Sequence, residues 1–224
     1  MDLLKLLRAF EELLFEVTAW LVYYPRTLWR MLRRPLQTMR DAELELERPL
    51  GTRYDDAMSP PLFLLITIVL LHGASLAVGT PALDEARTTR AFGSDQNLVI
   101  ARSLLFPLFP LTAAVVSAAH ASRTLGRAAL RPHFFAQCYL TAPYAIAVTA
   151  GGLLFASTTG APRLVGAGGM AVATLLDLGV QTAQFRRRLR LGAAHAAGLT
   201  LAAFAAVSVL VVGATFVIGA VQRL

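Results

Sequence analysis

The stretch "QFRRRLRLGAAHAAG" (Gln184–Gly198) decides how this chain is read. Arg186, Arg187, Arg188 and Arg190 form a basic knot between two long apolar runs, about 164–185 and 193–221. A helix needs roughly 20 apolar residues to cross about 30 Å of hydrocarbon, and arginines gather at the cytoplasmic ends of such helices. Working outward, three more apolar runs precede the pair, about 61–79, 98–120 and 138–157. Backbone in lipid must satisfy its own hydrogen bonds, so all five runs are expected to be helical. No alternation of the kind a membrane barrel carries runs through them.

Composition agrees. The chain is 56% hydrophobic, 16% charged and has a mean hydropathy of +0.57 over 224 residues. A soluble domain averages roughly 45–50% apolar and about 25% charged. The net charge of +7 is not spread as a nucleic-acid surface would be. Residues 1–60 hold nine basic and ten acidic side chains, so the surplus sits in short loops between the apolar runs. Nucleic acid is therefore not expected as a partner.

The loops also give sidedness. Nine basic residues lie in 1–60, two at Arg87 and Arg90, three at Arg123, Arg127 and Arg131, one at Arg163, four in the knot and one at Arg223. High and low counts alternate, as five crossings with a cytoplasmic amino terminus and an extracytoplasmic carboxyl terminus require. No cleavable leader is expected, because Glu11, Glu12 and Glu16 interrupt the first apolar residues. The expected architecture is all-α: a cytoplasmic segment of interfacial amphipathic helices (1–60), then a five-span bundle (61–224).

Within residues 1–60, Leu3, Leu7, Phe10, Leu14, Val17 and Leu21 recur at helical steps, opposite Lys5, Arg8, Glu11, Glu12 and Glu16. That pattern predicts an amphipathic helix lying on the membrane surface or against a partner helix, with a short coiled-coil seam as the rival. Pro25 is expected to stop it. A second short helix, Arg26–Arg34, interleaves Arg26, Arg30, Arg33 and Arg34 with Trp29, a pattern suited either to lipid headgroups or to plain juxtamembrane anchoring. Asp41, Glu43, Glu45 and Glu47 alternate with apolar residues, as on one side of an extended segment or as a solvated face pairing with nearby arginines.

The string "YYPRTLWRMLRRP" (Tyr23–Pro35) resembles the segment before the first span in bacterial members of the Yip superfamily. "YLTAPYAIAV" (Tyr139–Val148) is also similar to that family, and the five-span count fits it. The resemblance implies a small helical bundle without catalytic residues. Eukaryotic members associate with Rab-type GTPases, but their acidic-aromatic-glycine signature is missing here, so that partner does not carry over. The missing signature, with arginine making up 20 of the 21 basic residues, points to a bacterial inner membrane.

Asp177 is the one acidic residue inside an expected span, with Gln181 one turn on. A charge at that depth costs about 2.5–3.5 kcal/mol on insertion scales, so it should face protein or water. Either it serves a proton or cation path, or it is a carboxyl hydrogen-bonded to a neighbouring helix. Pro107, Pro110 and Pro143 are expected to kink or unwind the second and third spans. Gly166 and Gly169, and Gly198 with Ala202, give the last two spans small faces for close helix packing on each other or on a second subunit.

No catalytic, cofactor or metal motif is present. His72, His120, His133 and His195 are scattered, the single Cys138 begins an apolar run, and neither HExxH nor GxSxG occurs. The reading is a non-enzymatic membrane protein that organises or partners other membrane components, as a homo-oligomer or with another membrane protein. The alternative is a permease or channel for a small solute or ion, using Asp177 and the proline-bearing second and third spans.

Overall fold

A computed structural model describes residues 3–49, 52–78, 106–121, 126–157 and 159–221. Among them the fold is entirely helical: α1 (Leu3–Arg33), α2 (Pro35–Glu45), α3 (Pro60–Ala77), α4 (Leu108–Ala121), α5 (Arg127–Ser157), α6 (Ala161–Leu189) and α7 (Ala193–Val221). Four of these are long and apolar enough to cross a membrane: α3, α5, α6 and α7. The chain is thus multi-pass in character. Only the end of the expected second span is described, as α4, whose 14 residues rise about 21 Å. Residues 98–105, and with them Arg102, lie outside the described residues, as do Arg87, Arg90, Arg123 and Arg223.

α5 is the hub. α1, α2, α3, α4 and α6 all pack against it, and α7 closes the far side against α4 and α6. At one end of the bundle the core joins Met31 of α1, Met39 and Ala42 of α2, Phe63 of α3 and Tyr139 of α5. Phe63 stacks between Tyr24 (5.1 Å) and Tyr139 (5.7 Å, edge-on). α3 starts cleanly because Ser59 is extended and Pro60 occupies the first turn, where its missing N–H costs nothing.

Several local expectations are corrected. Pro25 does not stop the first helix: α1 runs through it to Arg33. A proline removes one helical hydrogen bond. Docking of Tyr24, Leu28 and Met31 into the core holds both flanks helical regardless. The separate helix Arg26–Arg34 is therefore the end of α1. The break comes at Arg34 (φ −140°, ψ 61°), where the following Pro35 disfavours helical backbone. The acidic run is not extended either. Asp41, Glu43 and Glu45 lie within α2, whose Thr38, Met39 and Ala42 are buried, so burial of one helical face decides the matter.

The expected loop 121–137 shrinks too, because α5 begins at Arg127 and runs through Pro132 and Pro143. α2 and α4 both pack on α5, and burial begins at His133, so this stretch is helical where the charge count reads as loop. Pro110 sits in the first turn of α4 and Pro107 just before it, where neither breaks an established ladder.

Candidate functional site

Polar side chains from α5, α6 and α7 meet inside the bundle. The Gln137 amide donates to Gln184 Oε1 at 2.7 Å, with both side chains buried. Thr182 and Thr200 hydroxyls meet at 3.2 Å across α6 and α7. Asp177 and Gln181 share the wall of a cavity of about 30 Å³ with Thr141, Tyr144 and Thr200. That volume is about one water's share of liquid.

The expected Asp177–Gln181 face is thus present and meets residues the sequence reading missed: Gln137, Thr141, Gln184 and Thr200. A signal for them exists. Asp177, Gln181 and Gln184 are spaced four and three, as are Gln137, Thr141 and Tyr144, which puts each trio on one helix face. A second polar contact, Ser117 Oγ to His133 Nδ1 at 2.8 Å, ties α4 to α5. It accounts for His133. His120 instead bonds the Val116 carbonyl of its own helix. Among the described residues no three His, Cys, Asp or Glu side chains cluster as a metal cage.

Gln184 also borders a larger cavity of about 690 Å³ at the arginine-bearing end of α6, together with Arg40, Glu43, Arg131 and Arg188. Glu43 of α2 pairs with Arg188 of α6 on its wall. The Gln137–Gln184 bond therefore stands between the small cavity, lined by Gln137, and this wider one. Compared with protein-family models, curated proteins and solved structures, the chain matches none. The resemblance to the Yip superfamily is one of sequence, in the strings Tyr23–Pro35 and Tyr139–Val148 and the expected span count.

Those two strings meet in the fold. Thr27, from the first, accepts from the Met58 N–H at 3.2 Å, and Tyr139, from the second, donates to the Met58 carbonyl at 2.5 Å. In that stretch of α1, Arg26, Trp29, Arg30, Arg33 and Arg34 are all exposed. The Arg33 guanidinium lies 4.2 Å over the Trp29 ring.

The small residues divide. Gly166 meets α5 backbone to backbone, and a Cβ there would lie 2.6 Å from the Gly151 carbonyl oxygen and 2.7 Å from the Phe155 nitrogen. Gly169, Gly198 and Ala202, by contrast, are on exposed sides of their helices. Within this chain α7 packs through Ala196, Ala203 and Val207, not through the small-residue stripe.

Proposed function

We propose that the chain is a non-enzymatic, five-span membrane protein that organises or partners other membrane components, of Yip-like type, in a bacterial inner membrane with its amino terminus cytoplasmic. One observation carries this reading. The second half of α1 is docked through Tyr24, Thr27 and Met31, while its first half leaves Leu7, Phe10, Leu14 and Phe15 exposed. A rigidly held helix offering an apolar face is a handle for a bilayer surface or another helix. Arg26, Trp29, Arg30, Arg33 and Arg34 continue that handle as a basic, aromatic face for headgroups. Crosslinking of the native protein in membranes, followed by purification, tests the reading. It requires a reproducible self-adduct or partner adduct through α1, lost on Phe10→Glu with Leu14→Glu, and absence of any adduct rejects it.

A permease or channel is the second reading, favoured by the polar route from Asp177 through Gln137 and Gln184 to the wide cavity. The cavity of about 30 Å³ fits water or a proton better than a solute. Flux in liposomes decides here: a flux abolished by Asp177→Asn would replace the first reading.

A further inference from the structure

The four arginines that end α6 do not act as one group. Arg188 pairs with Glu43 of α2. Arg186, Arg187 and Arg190 line a second cavity of about 690 Å³ formed by the end of α6 and the start of α7, and Arg187 borders the first one as well. No carboxylate borders the second cavity. None of these three arginines has an ion-pair partner among the described residues. Like charges so close repel one another, and an anion between them relieves that repulsion.

Three further observations bear on the kind of anion. Arg190 holds a left-handed backbone (φ 53°, ψ 38°) at the helix end, where glycine is the usual residue, and strain of this kind gathers at ligand clamps. Thr182 adds a hydroxyl to the wall, and Ala193, the first residue of α7, brings the positive end of that helix to the same space. Deeper along α6 the wall is Gly179 and Ala183. These sit within a helix apolar enough to cross a membrane, about one and two turns from Arg186, and their small side chains leave room beside the helix.

We propose that this cleft binds a phospholipid whose phosphate lies among Arg186, Arg187 and Arg190 and whose acyl chain runs along Gly179 and Ala183. Guanidinium groups recognise phosphate oxygens in a forked, charge-assisted geometry. The shared chemistry is phosphate, which a soluble ion could also supply. The apolar slot selects the lipid.

The test follows thermal unfolding of the purified full-length protein in neutral detergent. Phosphatidylglycerol, phosphatidylcholine or inorganic phosphate is added at matched ionic strength. Phosphatidylglycerol should raise the midpoint most, and each arginine removed should weaken its binding about fivefold. Arg190→Gly is the informative variant, because glycine suits the left-handed position and keeps the lipid-free fold at least as stable. It should lose most of the lipid-induced rise, as should Arg186→Gln, while Arg127→Gln at the exposed start of α5 should keep it. An undiminished rise in Arg190→Gly overturns the site, as does an equal loss in Arg127→Gln. Equal effects of the two lipids also overturn it, and a full rise with inorganic phosphate overturns the lipid as its source.

Discussion

Thr27 and Tyr139 hold the two backbone polar groups of a single residue, Met58, one from α1 and the other from α5. Thr27 is fully buried and Tyr139 nearly so, and the Tyr139 ring also packs edge-on against Phe63. The segment that leads into α3 is thereby pinned between the first helix and the central one. A buried carbonyl that loses its donor costs about 1–3 kcal/mol. Tyr139→Phe should lower stability by about that amount, and Thr27→Val by a similar one. The double variant should cost less than the sum, because both bonds hold one residue. Full additivity in thermal unfolding would show that Met58 is not a shared anchor.

Glu43 and Arg188 join α2 to the end of α6, with side chains 13% and 32% exposed. Such a pair lies between a surface bridge and a buried one, so Glu43→Ala should cost about 1–3 kcal/mol. Limited proteolysis should then cut faster around residues 46–49. Exchanging the charges, Glu43→Arg with Arg188→Glu, should restore most of the resistance.

Gly166 and Gly169 offer a matched pair. A methyl group at Gly166 would strike backbone atoms of α5, which cannot swing aside, so Gly166→Ala should destabilise by about 1–3 kcal/mol. Gly169 has nothing within 4 Å of that position, so Gly169→Ala should be neutral or stabilising by up to about 1 kcal/mol. Equal effects of the two on the unfolding midpoint would contradict the helix contact.

The Gln137–Gln184 bond should be worth about 0.6–2 kcal/mol, the range found for hydrogen bonds between membrane helices. Gln137→Leu leaves Gln184 Oε1 without its donor and should cost most. Adding Gln184→Leu should recover part of the loss, because both partners are then apolar. Unfolding in detergent of the two single variants and the double variant gives the comparison.

Tyr54 supplies a pH dependence. Its N–H donates to Glu45 Oε2 at 3.0 Å and its hydroxyl to the Ala42 carbonyl at 3.1 Å, which holds it against α2 in a left-handed conformation. Burial, and after it the charge of Glu45, raises the phenol well above its ordinary value. The folded state therefore keeps a proton that the unfolded chain gives up near pH 10. Stability from this group is intact below that pH and falls as pH rises above it. Tyr54→Phe should be less stable at neutral pH through the lost hydrogen bond, yet flatter between pH 9 and 11. A parallel decline in both proteins would exclude Tyr54 as the source.

The long elements were readable because hydrocarbon-length apolar runs leave few alternatives to helix. α3, α6 and α7 fall close to the expected boundaries. What misled was local chemistry overridden by packing. Pro25 reads as a stop, but the docked Tyr24, Leu28 and Met31 hold the helix through it. The alternating carboxylates read as extended, but burial of Thr38, Met39 and Ala42 makes that stretch a helix. At the site, Asp177 and Gln181 stood out as polar residues in an apolar run. Their cross-helix neighbours did not, because a glutamine or threonine inside a span is unremarkable until its partner on another helix is known. The Thr27–Met58–Tyr139 clasp was equally hidden, since its central acceptor and donor are backbone.

The most direct test of the account places topology reporters at the amino terminus, at the loop after Arg190 and at the carboxyl terminus of the chain in intact cells. Five crossings predict the first two on the cytoplasmic side and the third on the opposite side. Both termini on one side, or a monomer recovered in buffer without detergent, would contradict it.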